Sequence, residues 1–158
     1  MVKVFITDDH ELVRRFVRES LVEIPGFCVV GEACSGEETM ARIQAAQPDV
    51  LVTDLSMPGM NGIQVTRQVR KLLPQVSVLV FSVDASYGLA IMALEAGAKG
   101  YVTKDAGLDA LATAIRELNH DGFYLSPPLS RQKMDEFRAR LRPNKKRSSE
   151  GQEEALPA

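Results

Sequence analysis

The sequence has no long apolar run, little excess charge and only two cysteines, and each shortage removes a class of protein. A helix that crosses a bilayer needs about 20 consecutive apolar residues, and no stretch approaches that. The net charge of −2 gives no reason to expect a general binder of nucleic acid or of acidic surfaces. The opening stretch MVKVFITDDH turns acidic too early for a signal peptide, so a cytoplasmic location is expected. Cys28 and Cys34 close the strand-like stretch CVVGEAC. Six residues of strand would hold them about 20 Å apart, against a limit of roughly 7 Å for a disulfide. They read as small buried hydrophobes, with no histidine near enough to suggest a metal site. There is no internal repeat beyond the alternation described next.

The 158 residues, 45% apolar and 25% charged, suit one domain with a real core. Five short aliphatic runs, at 2–7, 28–33, 50–53, 76–81 and 100–103, alternate with longer amphipathic segments. The runs are β-branched with little alternation, as strands buried on both faces are. The first helical segment carries Leu12, Val13, Phe16, Val17, Leu21 and Ile24 at helical spacing and ends at Pro25-Gly26. Ser35 with Glu38 fits a capping box for the second. Ile63, Val65, Val69 and Leu72-Leu73 mark the third, residues 89–96 the fourth and about 108–118 the fifth. The predicted fold is α/β, a parallel sheet with helices on both faces. Ligands in such sheets sit beyond the carboxyl ends of the strands.

The remainder is less regular. DGFYLSPPL reads as a turn followed by a short apolar piece, and residues 129–141 fit a sixth helix with Met134, Phe137 and Leu141 on one face. The final RPNKKRSSEGQEEALPA is charged and nearly devoid of apolar residues, which fits a disordered tail or linker. The expected division is 1–125, 126–142 and 143–158.

Asp8 and Asp9 follow the first strand, Asp54 the third, Ser82 the fourth and Lys104 the fifth. Three carboxylates gathered at one sheet edge repel one another unless a cation joins them. Ligation by oxygen alone selects a hard ion, and Mg²⁺ suits a shallow site that retains water. Lys104 adds a mobile point charge suited to phosphate, and Ser82 a hydroxyl. A carboxylate in that company can act as a nucleophile toward phosphorus.

The stretches ITDDHELVR, PDVLVTDLSMPGMNGIQV, VLVFSV and GAKGYVTKDA resemble the receiver domain of two-component response regulators over about residues 2–125. VGEACSGEE, VFSV, GAKGYVTKD and DGFYLSP further resemble the NarL/LuxR-like subfamily. The resemblance implies a flavodoxin-like, doubly wound sheet of five strands in the order 2-1-3-4-5. It implies Asp54 as phosphoacceptor, and Mg²⁺ held by Asp9, Asp54 and the Ser56 carbonyl, with Asp8 acting through water. Ser82 and Lys104 would bind phosphoryl oxygens, and Ser82 with Tyr101 would form the switch. Two positions depart from the family: Val83 stands where most receivers carry Ala or Gly, and Asp105 where most carry proline.

The resemblance further implies a sensor histidine kinase as phosphodonor. The apolar fourth helix suggests a responsive surface with the fifth strand and fifth helix, and a phosphorylation-dependent homodimer. DNA would be reached only through a helix-turn-helix domain missing from this chain, and no membrane is expected. Both a truncated transcription factor and a stand-alone receiver stay open. One rival is a Mg²⁺-dependent phosphatase resembling haloacid dehalogenases, but those place a D-x-D nucleophile after the first strand. The other is an interaction module that makes no use of phosphate. No substrate turnover is expected beyond the chain's own phosphoryl transfer and dephosphorylation.

Overall fold

The aliphatic runs become strands because β-branched side chains fill a pleated surface, buried on both faces at 50–53, 77–82 and 100–103 but mainly half-buried at 27–33, on the sheet edge. The computed structural model describes residues 1–127 together with 129, 135, 136 and 139. The unit Met1–Pro128 carries the architecture. A second unit spans 129–158, and the expected sixth helix with Met134, Phe137 and Leu141, like the polar end of the chain, lies outside the described residues.

The order is β1 (Val2–Thr7), α1 (Glu11–Glu23), β2 (Phe27–Ala33), α2 (Gly36–Ala46), β3 (Val50–Thr53), α3 (Gly62–Leu72), β4 (Ser77–Ser82), α4 (Tyr87–Glu95), β5 (Gly100–Thr103), a 3₁₀ turn at Lys104–Ala106, α5 (Gly107–Asn119) and β6 (Tyr124–Leu125). The sheet runs β2-β1-β3-β4-β5-β6 with every pairing parallel. Alternate strand residues feed two cores. Val4, Ile6, Val50, Val52, Leu79, Phe81 and Val102 meet α1 and α5. Phe5, Leu51, Val78, Val80 and Tyr101 are buried on the opposite face, the side of α2, α3 and α4.

Four expectations need correction. The sheet has six strands rather than five: Tyr124 N–H donates to the Lys99 carbonyl at 3.1 Å and Ser126 N–H to the Tyr101 carbonyl at 3.0 Å, adding β6 beside β5. A two-residue strand between Gly122 and Pro127 is too short to show a period. On α1 only Val17 and Leu21 are buried, while Leu12 and Phe16 stand in solvent at 79% and 60% exposure. The apolar pattern there is wider than the stripe the sheet can cover. The capping box is half made at Ser35, whose hydroxyl accepts from Glu38 N–H, because the Glu38 carboxylate turns to Cys34 and Arg42. A complete box closes α3 instead, between Asn61 and Gln64. Finally, Cys34 is exposed and Cys28 half-buried, both free thiols.

One glycine fixes how closely α3 approaches the end of β3. A Cβ on Gly62 would run into the Asp54 carbonyl oxygen and lie 2.8 Å from the Leu55 Cα, both backbone atoms with no room to yield. Gly62→Ala is expected to lower the free energy of urea unfolding by about 1–3 kcal/mol, and an unchanged unfolding midpoint would contradict this packing.

Candidate functional site

β1 and β3 lie side by side where the strand order reverses, and in doubly wound sheets that crevice receives ligands. Thr7 pairs with Thr53, and Asp54 N–H donates to the Thr7 carbonyl at 2.9 Å. The strand ends are thus locked in register, and the carboxylates that follow them emerge together. Lys104 reaches over from the end of β5. Its Nζ lies 2.7 Å from Asp8 Oδ2 and 3.4 Å from Asp54 Oδ2. The lysine side chain is 15% exposed and the two carboxylates 5% and 6%.

Charges this deep are tolerated only with further hydrogen bonds. Leu55 N–H donates to Asp54 Oδ1 at 2.7 Å, and His10 N–H to Asp8 Oδ1 at 2.9 Å. Burial, then the Asp8 carboxylate, push the Asp54 carboxyl above the ordinary range, with Lys104 and the Leu55 N–H pulling it back.

Asp9 completes the cluster differently. Its Oδ1 is buried and makes no hydrogen bond among the described residues. Asp8, Asp9, His10 and Asp54 each offer a ligand atom, all within 4.8 Å of one another. Three carboxylates face one ammonium, and an orphaned oxygen points to a missing positive partner. The donor set fits a hard divalent cation. His10 was given no part in the site by the sequence reading. Here its Nδ1 lies 3.2 Å from both Asp8 Oδ1 and Asp9 Oδ1, on a ring that is 67% exposed. The DDH triplet was the signal, since it places the imidazole next to two carboxylates.

The other expected residues occupy two rims. Ser56 is exposed in the loop two residues past Asp54. Ser82, buried at the end of β4, pairs with Thr103, the residue before Lys104, and its hydroxyl accepts from Asp84 N–H at 3.2 Å. Tyr101 is fully buried, and its hydroxyl donates to the Asp84 carbonyl at 2.6 Å. Burial pushes that phenol up, with the Ser82 hydroxyl partly offsetting it. Ser82 and Tyr101 therefore meet at the Asp84 backbone. Val83 is 79% exposed and takes no part in the buried wall. The sequence reading missed Glu37, whose carboxylate accepts from Met60 N–H at 2.9 Å and ties the loop after β3 to α2.

The response regulator receiver domain matches residues 4–116. The chain belongs to the response-regulator receiver family. The receiver is 39% identical over 132 residues to the response regulator GacA of Pseudomonas syringae, covering 84% of this chain and 62% of that protein. It is 34% identical to the response regulator UvrY of Escherichia coli over 84% of this chain and 61% of that one. It thus spans about three fifths of the length of these relatives. Among solved structures, a LuxR-family two-component response regulator from an Aurantimonas species superposes with a TM-score of 0.80 at 33% identity, over 88% of this chain and 99% of that one. The isolated receiver domain of RcsB from Salmonella enterica, with phosphomimetic BeF3−, gives 0.75 at 28% identity over 82% and 96%. The subfamily resemblance is thereby borne out, and the receiver is part of the two-component signalling repertoire. Among the described residues no helix is long and apolar enough to cross a membrane.

The receiver carries a built-in stability cost at Asp54. A carboxyl whose folded pKa is raised destabilises the fold wherever it is ionised, and that cost is relieved as pH falls through its range. Asp54→Asn keeps the acceptor for Leu55 N–H and removes the charge. Without divalent cation it is expected to melt several degrees above wild type at neutral pH. The gap should close below the ordinary carboxylate range, and equal melting at neutral pH would contradict the reading.

Proposed function

We propose that this chain accepts a phosphoryl group on Asp54 in a reaction that requires Mg²⁺. The observation that carries the reading is the Lys104 ammonium bridging Asp8 and Asp54 beside the buried Asp9 Oδ1, which accepts no hydrogen bond among the described residues. An Asp54 carboxylate oxygen attacks phosphorus, forming an acyl phosphate while the bond from phosphorus to the donor's imidazole nitrogen breaks. Lys104 exchanges its carboxylate contacts for phosphoryl oxygens, and Ser82 donates its hydroxyl to another. Asp8, Asp9, Asp54 and the Ser56 carbonyl would hold Mg²⁺, which would supply positive charge where negative charge develops.

The donor in this reading is a sensor histidine kinase in the cytoplasm, and the chain turns over no other substrate. Residues 1–125 form the receiver, with the following segment a linker toward an output that controls transcription. Ser82 and Tyr101 are the switch: recruitment of Ser82 to phosphate releases its bond to Asp84, the residue whose carbonyl holds Tyr101. The responsive surface is α4, β5 and α5, where Met92 is already half exposed, and it would support a phosphorylation-dependent homodimer.

Incubation with acetyl phosphate and Mg²⁺, followed by intact-mass measurement, tests the acceptor. Wild type is expected to gain one phosphoryl group and Asp54→Ala none. Gain in both, or in neither, would overturn the assignment. The second outcome would favour an interaction module that makes no use of phosphate.

A further inference from the structure

Arg14 is a cation near the acid pair that meets neither carboxylate. It lies close to the N-terminal end of α1, where the helix dipole disfavours positive charge and where the first turn carries Glu11. Its side chain is only 14% exposed. Nη1 donates to the Asp8 backbone carbonyl at 2.6 Å, and Nε lies 3.8 Å from Glu32 Oε1. Glu32 stands on β2 opposite Ile6, and its other oxygen takes Arg18 Nη1 at 2.5 Å. Arg14 is therefore anchored on the neighbouring strand at one end and grips the Asp8 carbonyl at the other.

That carbonyl belongs to the peptide joining Asp8 to Asp9. The peptide is planar, so fixing its oxygen constrains the direction in which Asp9 leaves the chain. Asp8 needs no such help, because Lys104 and the His10 N–H hold its side chain. Asp9 does: its buried Oδ1 has no hydrogen bond among the described residues, only the exposed His10 ring 3.2 Å away. The backbone has to aim it. We propose that Arg14 is a positioning residue for cation binding, holding the Asp8–Asp9 peptide so that the Asp9 carboxylate faces the cluster before any ion arrives. The proposal rests on the reading above that this cluster takes Mg²⁺. It assigns to a guanidinium without metal contact the preorganisation that partners of metal ligands commonly supply.

Calorimetric titration of Mg²⁺ into the full unphosphorylated chain, with thermal unfolding in its absence alongside, tests the role. Arg14→Gln is expected to weaken Mg²⁺ binding about tenfold, the order seen when partners of metal ligands are removed. Arg14→Lys should fall between, since an amine can reach the carbonyl without the planar fork that spans to Glu32. Arg18→Gln disturbs the same Glu32 without touching Asp8 and should bind Mg²⁺ as wild type does, even if it melts lower. Arg14→Gln and Arg14→Lys both binding like wild type would overturn the proposal, and so would Arg18→Gln weakening binding as much as Arg14→Gln. Should Arg14→Gln fail to fold, the Arg14→Lys and Arg18→Gln pair decides by the same comparison. If wild type itself takes up no Mg²⁺, the reading of the cluster falls. If wild type binds and the Arg14 variants are unchanged, only the role of Arg14 falls.

Discussion

Two buried carboxylates, Asp8 and Asp54, stand next to each other with one ammonium between them, and the receiver is arranged around that balance. Lys104 comes from a strand end 96 residues along the chain from Asp8. It can reach only because β1, β3, β4 and β5 are consecutive parallel neighbours whose registers bring their ends to one edge. The core exists in this sense to hold three charges at a spacing they would not choose. Burial, and after it the negative surplus, leaves Asp54 raised, and Asp9 Oδ1 accepts no hydrogen bond among the described residues. A site in that condition has a charge balance that a divalent cation would complete.

Around this centre, hydrogen bonds to backbone groups and close backbone packing hold the surrounding loops. Asn61 caps α3, Gly62 lets that helix sit against the Asp54 carbonyl, and Glu37 tethers the loop between them through Met60. On the far side, Asp84 offers its N–H to Ser82 and its carbonyl to Tyr101, so one peptide segment senses both residues. Beyond it, Ser126 accepts from Thr103 N–H at 2.9 Å, binding β6 to the residue before Lys104. Lys104 is thus continuous, through β5, with β6.

Much of this was legible in the residues. Strands buried on both faces must be uniformly aliphatic, so β3, β4 and β5 announced themselves, as the aliphatic runs of β1 and the half-buried edge strand β2 also did. An Asp or Lys directly after such a run has to lie at the end of a strand. What stayed hidden was whatever depends on one short contact. β6 is two residues long, and its hydrogen bonds, rather than its composition, make it a strand. Glu38 had the right spacing for a capping box, but Arg42 and Cys34 compete for its carboxylate. Leu12 and Phe16 follow the helical period yet fall outside the width of α1 that the sheet covers. Arg14 was one arginine among several, since nothing in its spacing says that it grips a carbonyl.

In the proposed reading, Asp8, Asp9 and Asp54 form one cation site beside Lys104. Anomalous diffraction from crystals grown with Mn²⁺, which takes the same oxygen ligands as Mg²⁺, tests it most directly. A single strong peak is expected within coordination distance of Asp9 and Asp54 carboxylate oxygens. A cluster free of anomalous signal, with the ion bound at other acidic residues, would contradict it.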